Sequence, residues 1–187
     1  HEMDVPDYHY MDSLKREYNS IGKKDQVDVI LANPPFGASI ADGVETNFPA
    51  TYRCKESADL FVILMLQLLK PNGRCAIVLP DGSITGSGVN SRIREKLLTD
   101  ANLHTIVRLP SSTFSPATVS TNLLFFEKGS KTKDIWYYEH KLPEGQKSYS
   151  KTKPIQFNEF ETIIDWWNKR EENDQAWKVN INDLKDW

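Results

Sequence analysis

The sequence lacks a hydrophobic run long enough to cross a bilayer. Its longest apolar segment, residues 60–69, is interrupted only by Gln67 and has about half of the roughly 20 residues that a membrane-spanning helix needs. No basic segment followed by an apolar one opens the chain, so we expect no secretory or transit signal and a cytoplasmic location. We therefore expect no membrane association and interpret the apolar segment as a buried helix.

Cysteine is scarce, and basic charge is not in excess. Cys54 and Cys75 have no spacing typical of a metal site, so we interpret them as reduced, structural thiols. The net charge of -3 gives no indication of nucleic-acid binding, because phosphates select basic surfaces. Residues 128–153 hold seven lysines against three acidic residues, which fits either a solvated loop or an edge that contacts phosphate.

The chain also lacks an initial methionine. It starts with His1 and has 187 residues, enough for one hydrophobic core. We therefore expect one main domain, and we expect the chain to be a piece of a longer protein.

The apolar segments alternate between strand and helix patterns. Residues 27–33 form a short β-branched run that Pro34 and Pro35 close, as in a buried parallel strand. A helix is predicted over residues 57–70 and a second strand over 74–79. Because the order is strand, helix, strand, we predict an α/β fold with a right-handed parallel crossover. Further helices are predicted at 90–98 and 157–170, and further strands at 104–109, 122–127 and 135–139.

The segment Asn33-Pro34-Pro35-Phe36-Gly37 follows the first predicted strand directly, at the edge where open α/β sheets bind ligands. The two prolines stiffen the turn, and Pro34 offers a carbonyl but no N–H. The Asn33 side-chain oxygen and the Pro34 carbonyl can each accept one hydrogen of an exocyclic amine, which frees the nitrogen lone pair to attack a methylsulfonium. The alternative is a structural role, in which the prolines only end the strand and the phenylalanine packs.

The surroundings of this motif resemble a known family. Residues 28–37 resemble the catalytic motif of amino-methyltransferases, and residues 58–73, 76–82, 109–114 and 122–128 follow in the order seen in modification subunits of type I restriction-modification systems. These are adenine-N6 DNA methyltransferases. The resemblance implies transfer of a methyl group from S-adenosylmethionine to an adenine flipped out of DNA. Its implied catalytic residues are Asn33, Pro34, Pro35 and Phe36, with Phe36 stacking on the base.

The resemblance also implies contacts to the cofactor and to the base. Asp12, in Asp12-Ser13-Leu14, is similar to the acidic residue that contacts the cofactor, and Asn33 is the second implied cofactor ligand. Phe114 lies in a loop that reaches the flipped base in related enzymes, although a role as a core anchor is an alternative. The family's cofactor pocket needs a Gly-rich turn after its first strand, and no such turn precedes Asp12. We therefore expect the S-adenosylmethionine site to be incomplete.

The implied fold is α/β, a partial Rossmann-like methyltransferase fold with a mixed, mostly parallel sheet and a C-terminal extension. Residues 1–144 are expected to form the C-terminal half of the catalytic domain, and residues 145–187 a linker and a helical extension. The implied partners are DNA and the specificity and restriction subunits of a type I complex. The fourth strand of the family's sheet is expected to have a bare edge, so the isolated chain is expected to self-associate there.

Two alternatives stay open at this point. Related enzymes that methylate ribosomal RNA or protein glutamine use a similar loop, often with Tyr where this chain has Phe36, but they lack the long tail. A non-catalytic docking module within the complex is the second alternative. In either case we expect the isolated chain to be inactive.

Overall fold

A computed structural model describes residue 7 and residues 9–184 of the chain. Among these, six strands form one sheet in the order β1-β2-β4-β3-β5-β6. The strands are β1 (Val27–Ala32), β2 (Leu69–Pro80), β3 (Ala101–Leu109), β4 (Thr121–Lys128), β5 (Asp134–Glu139) and β6 (Ala176–Asn180). The α-helices are α1 (Ser57–Leu68), α2 (Asp81–Thr85), α3 (Val89–Asp100) and α4 (Glu161–Lys169).

The sheet is mixed, as predicted, but two of its five strand pairings are parallel and three are antiparallel, so it is less parallel than expected. β1 runs parallel to β2, and β3 runs parallel to β5. β4 lies between β2 and β3 and is antiparallel to both, so β1, β2, β3 and β5 all point the same way. Their carboxyl ends therefore share one edge of the sheet, which brings together the loops that follow Ala32, Pro80, Leu109 and Glu139.

The main core lies between the sheet and the helices α1 and α3. The run of apolar residues in α1 is buried on nearly every side, which explains why it lacks a polar face. Facing it are Ile77 and Leu79 of β2 and Leu124 and Phe126 of β4, all at most 2% exposed. A second, smaller core joins β3 and β5 to α4 through Val107, Tyr138 and Trp166. These two cores fix the sheet that carries the loop at the end of β1.

β1 is an edge strand. Within the described part of the chain it pairs with β2 alone. Val29 and Leu31 are 51% and 80% exposed, although both are large apolar residues. The prediction that this strand has a bare edge is confirmed.

Some boundaries differ from the sequence prediction. α1 ends at Leu68, two residues before the predicted end, and β2 begins at Leu69, five residues early. The pairing of β2 with β1 is irregular between Val27 and Val29. Asn72, in the part of β2 next to this irregularity, has a φ of +62°. α1 begins at Ser57, as predicted, and its N-cap residue is Glu56, whose side chain makes no capping hydrogen bond.

Two elements were not predicted at all, the short helix α2 and the strand β6. β6 pairs antiparallel with β5, and Trp177 stacks on Tyr137 at 5.7 Å between ring centroids. Residues 145–184 thus add a strand to the sheet as well as helix α4, and the division of the chain after residue 144 stays a prediction. None of the helices in the described residues has the length and apolar character that crossing a membrane requires.

Candidate functional site

The loop after β1 is fastened to the start of α1. The Ser57 hydroxyl donates to the Pro35 carbonyl at 3.0 Å, and the Ser57 N–H donates to the carbonyl of Ala38 at 3.2 Å. Gly37 has a φ of +62°, a left-handed conformation that glycine adopts without penalty. The two prolines, the two bonds from Ser57 and this glycine hold the loop in one shape.

Two hydrogen-bond acceptors of the loop are free. Asn33 is exposed, and its amide makes no hydrogen bond to the described residues. The Pro34 carbonyl likewise accepts no hydrogen bond from them, whereas the Pro35 carbonyl is occupied by Ser57. Neither acceptor is bound by the described residues, and of the two residues Asn33 is exposed whereas Pro34 is buried.

Two hollows flank the end of β1. Phe36 and Gly37 line a hollow of about 510 Å³, together with Asp59, Pro80 and residues of the neighbouring loops. This volume lies in the range of roughly 300 to 1,000 Å³ that small-molecule sites occupy. Asn33 instead lines an apolar hollow of about 330 Å³ on the sheet face beside Leu31. The structure thus places Asn33 and Phe36 in the same loop but in the walls of different hollows.

The two aromatic residues expected at the base-binding site lie in contact. The rings of Phe36 and Phe114 are 5.3 Å apart between centroids and meet edge to face at 83°. Phe114 belongs to the loop between β3 and β4, which the family resemblance implies contacts the flipped base. A base sandwiched between the two rings must lie about 3.5 Å from the plane of each ring. One ring must therefore move before a base can be sandwiched.

Asp12 lies apart from both hollows. It is exposed, and its carboxylate caps the short 3-10 helix Ser13–Lys15 by accepting a hydrogen bond from the Leu14 N–H at 3.1 Å. Leu14 is buried in the main core. Asp12 and Asn33, the two implied cofactor ligands, therefore share neither of these two hollows.

Sequence reasoning missed the polar groups that complete the larger hollow. Asp59 of α1 is 2% exposed, and its Oδ2 accepts a hydrogen bond from the Asn90 side chain at 2.9 Å. Burial raises the pKa of the Asp59 carboxyl, and Ser83, Asn90 and Arg94 oppose this only in part. The signal available in the sequence was one acidic residue inside an otherwise apolar helix.

Asp81 follows β2 directly and links the end of that strand to β3 and β4. Its carboxylate accepts hydrogen bonds from Asn122 of β4 at 2.7 Å and from Arg108 of β3 at 2.8 Å. Asn122 is buried, so it depends on this partner. Neither contact could be inferred from spacing, because the three residues are far apart in sequence.

Cys54 also lines the larger hollow, and burial, followed by the charge of Asp59, raises the pKa of its thiol to about 11. A thiol with such a pKa is a poor nucleophile at neutral pH. The described residues contain no cluster of three or more His, Cys, Asp or Glu side chains positioned to hold a metal ion.

Comparison with known proteins gives consistent matches. The family model described as N-6 DNA Methylase matches residues 1–187. The methylase subunit of type I restriction enzyme EcoEI from Escherichia coli is 53% identical over 168 residues, which cover 86% of this chain and 34% of that protein. The EcoKI methylase subunit of Escherichia coli strain K12 is 33% identical over 136 residues, which cover 68% of this chain and 25% of that protein.

Solved structures agree with these matches. The crystal structure of a modification subunit of a putative type I restriction enzyme from Vibrio vulnificus YJ016 has a TM-score of 0.90 and 42% identity, and covers 95% of this chain and 38% of that chain. The chain thus spans between a quarter and two fifths of the length of these relatives. Its sheet and helices form part of the methyltransferase fold, as predicted. Because the family model matches the whole sequence, and a relative is more than half identical over most of it, the chain belongs to the N-6 DNA methylase family.

Proposed function

We propose that the full-length protein transfers a methyl group from S-adenosylmethionine to the exocyclic N6 of an adenine flipped out of DNA. The observation that carries this proposal is the pair of free acceptors, the Asn33 amide oxygen and the Pro34 carbonyl, beside the aromatic hollow at the end of β1. Membership of the N-6 DNA methylase family supports it. Ribosomal RNA and protein glutamine are less favoured acceptors, because the matched relatives are named as methylase subunits of restriction enzymes.

The chemistry follows from what an adenine amine lacks. Its nitrogen lone pair is conjugated into the ring, so the amine is a weak nucleophile. When Asn33 and Pro34 each accept one of its hydrogens, the nitrogen moves towards tetrahedral geometry and the lone pair becomes available. The N–CH3 bond would form as the bond between the methyl carbon and the sulfonium sulfur breaks, leaving a neutral thioether, and the methylated amine would then lose one proton to water. No strong base is required, and the gain comes from positioning and from fixed dipoles. Pro35 contributes by stiffening the loop, because its carbonyl is bound by Ser57 and is not available to the amine.

Phe36 is assigned the stacking role. It lines the larger hollow and is half-buried, so one part of the ring is available to a ligand. Stacking of a base on an aromatic ring contributes about 1 to 3 kcal/mol, which helps to offset the cost of extracting the base from the duplex. Phe114 is the second substrate contact, after it moves away from Phe36.

The methyl donor is expected to be S-adenosylmethionine, which supplies an electrophilic methyl group. Asn33 is the described residue best placed to contact it, because its amide is exposed at the strand end. Asp12 remains a proposed ligand whose carboxylate already caps a turn. The remainder of the cofactor site is assigned to residues beyond the described part of the chain.

We infer the partners of the full-length protein from the names of its relatives. These are named as methylase or modification subunits of type I restriction enzymes, so we assign DNA, a specificity subunit and a restriction subunit as partners of the full-length protein. Residues 1–144 supply the later part of the catalytic domain, and residues 145–187 the linker and the extension.

The product of the reaction tests this assignment. A full-length methylase subunit carrying this sequence, with its specificity subunit, is incubated with labelled S-adenosylmethionine and either duplex DNA, ribosomal RNA or a glutamine-containing protein. We expect label at N6 of adenine in DNA alone. Label in RNA or protein instead, or no label with any acceptor, contradicts the proposal.

The isolated 187-residue chain is expected to be inactive, since it lacks an enclosed cofactor site. The same assay on the isolated chain, with full-length protein as the positive control, measures this. Methyl transfer by the isolated chain would show that its own residues suffice for the cofactor. A full-length protein that is also inactive would favour a docking role.

Self-association of the isolated chain is proposed at the β1 edge, where Val29 and Leu31 are exposed and the strand has one neighbour only among the described residues. Unpaired apolar edges pair with other chains. Light scattering is expected to show dimers or larger species, and Leu31→Lys to reduce them, whereas Lys at the exposed Thr51 is expected to have no effect. A monomeric wild-type chain overturns this proposal.

A further inference from the structure

The same four residues occur twice in the lysine-rich stretch of the chain. Ser-Lys-Thr-Lys occupies residues 130–133 and again residues 150–153. In both tetrapeptides the two lysines are exposed, and their ammonium groups make no ion pair or hydrogen bond to the described residues. Because composition, charge and exposure are the same, only the position in the fold distinguishes the two pairs of lysines.

The first tetrapeptide lies at the edge of the sheet where the parallel strands begin. It belongs to the connection between the end of β4 and the start of β5. Thr132 is buried, and its hydroxyl donates to the carbonyl of Ala101, the first residue of β3, at 2.7 Å. Lys131 and Lys133 are therefore held at the edge opposite to the loop that contains Phe114.

The second tetrapeptide lies at the edge where the parallel strands end. It is a tight turn, closed by two backbone hydrogen bonds between Ser150 and Lys153 at 3.0 and 3.1 Å. Tyr149, directly before it, is 3% exposed, and its N–H donates to the Ser112 hydroxyl in the loop between β3 and β4 at 2.9 Å. Ser112 is two residues before Phe114, so this turn is attached to the loop of the proposed second substrate contact.

The two attached segments form a surface that has no carboxylate of its own. Residues 110–120 and 145–154 contain no aspartate or glutamate, although the chain has 26 acidic residues. They contain nine serine or threonine residues and three exposed lysines, which are Lys147, Lys151 and Lys153. Ammonium and hydroxyl groups are the donors that bind the phosphate oxygens of DNA. The surface is therefore complementary to a phosphate backbone, although the whole chain has a net charge of -3.

The acidic residues that flank residues 145–154 in sequence do not pair with these lysines. Glu159 accepts hydrogen bonds from the Tyr149 hydroxyl and from the Gln156 N–H. Glu144 is exposed and makes no ion pair with the described residues. The three lysines thus have no anionic partner in the part of the chain that the structure describes.

We propose that Lys147, Lys151 and Lys153, together with the loop between β3 and β4, bind the phosphodiester backbone of DNA beside the flipped adenine. This inference rests on the proposed function and adds a contact surface to it. Phosphate contacts set the position and the orientation of a protein on DNA without reading the sequence. The turn at residues 150–153 holds the backbone while the base occupies the site at the end of β1.

The salt dependence of DNA binding tests this surface. The full-length methylase, with its specificity subunit, is titrated with two duplexes of unrelated sequence at several salt concentrations. In Lys151→Ala/Lys153→Ala, the slope of log affinity against log salt concentration is expected to decrease in magnitude by about 2, because each neutralised phosphate contributes about 0.9. The decrease is expected to be the same for both duplexes, since phosphate contacts are independent of sequence.

Lys131→Ala/Lys133→Ala is the matched control. It removes the same two charges from the same tetrapeptide at the other edge of the sheet, so its slope is expected to equal that of the wild type. Lys151→Arg/Lys153→Arg keeps both charges and is also expected to retain the wild-type slope. Equal slopes for the two alanine variants, whether both are changed or both unchanged, overturn the inference.

Neutral methylphosphonate linkages locate the contact on the DNA. At the phosphates next to the target adenine they are expected to weaken binding by the wild type, and to have a smaller effect on Lys151→Ala/Lys153→Ala, in which the partner charges are already absent. An equal effect on both proteins overturns the inference, as does loss of assembly with the specificity subunit in the variant, which indicates a protein contact. A wild-type protein that binds DNA but methylates no adenine refutes the proposed function instead, so the two failures are distinguishable.

Discussion

Individual residues decide the shape of the loop after β1. Pro34 and Pro35 restrict φ and remove two N–H donors, and the Pro35 carbonyl is bound by Ser57. Gly37 then turns the chain with a φ of +62°. Because these constraints act on neighbouring residues, the backbone of the loop, including the Pro34 carbonyl, is held in one shape.

Gly37→Ala is expected to destabilise the chain by about 1 to 2 kcal/mol, because an L side chain is strained at positive φ. The cause is the backbone angle and not crowding, since an added Cβ would meet no atom within 4 Å. Urea unfolding measures the effect. Gly82→Ala is the matched control, since Gly82 also has open space but lies in helix α2, where alanine is favoured. Equal effects from both substitutions would contradict the account.

Phe36→Ala is expected to weaken binding of the flipped base by about 1 to 3 kcal/mol, the contribution of one stacking contact. Fluorescence of 2-aminopurine at the target position, measured with the full-length protein, reports the flipped state. Phe36→Tyr keeps the ring and is expected to behave as the wild type. If Phe36→Ala flips the base as well as the wild type does, the stacking role is wrong.

The loop between β3 and β4 is held by the element that follows β5. The Tyr149 N–H donates to the Ser112 hydroxyl at 2.9 Å. The Tyr149 hydroxyl contacts His140 and Glu159, and both Tyr149 and His140 are buried. The C-terminal segment therefore restrains the loop that carries Phe114, the proposed second substrate contact.

Ser112→Ala is expected to loosen this loop, because one hydrogen bond contributes about 0.5 to 1.5 kcal/mol. Amide hydrogen exchange at Ser115 and Ala117, which bond within the loop, is expected to become several-fold faster. Ser111→Ala is the matched control, since Ser111 is exposed and makes no side-chain hydrogen bond to the described residues. Unchanged exchange in Ser112→Ala would show that Tyr149 does not restrain the loop.

Elements with strong local signals were predictable from the sequence. β1 is a β-branched run closed by two prolines, and α1 is a long apolar run, so both were found. β6 was missed because it has only five residues, of which only Ala176 is buried, and it is a strand only through its pairing with β5. In the site, the loop from Asn33 to Gly37 was predictable because its residues are consecutive. The contacts of Asp59 with Asn90 and of Asp81 with Arg108 and Asn122 arise only from tertiary structure.

The whole molecule presents its functional groups along one edge of the sheet. The parallel strands β1, β2, β3 and β5 all end there, and their following loops contain Asn33, Phe36, Asp81 and Phe114. Among the described residues no strand or helix covers the outer edge of β1, where Leu31 is 80% exposed. The proposed acceptors for the amine thus lie beside a strand edge that has no partner among the described residues.

The single-turnover rate of methyl transfer by full-length Asn33→Ala tests the central claim most directly. Loss of one of two groups that act on the reacting amine is expected to lower this rate on the order of 100-fold, with unchanged DNA affinity. Asn158→Ala, at an exposed position in the 3-10 helix Phe157–Phe160, is the control and is expected to react at the wild-type rate. A wild-type rate for Asn33→Ala would contradict the claim that the Asn33 amide and the Pro34 carbonyl hold the adenine amine for transfer.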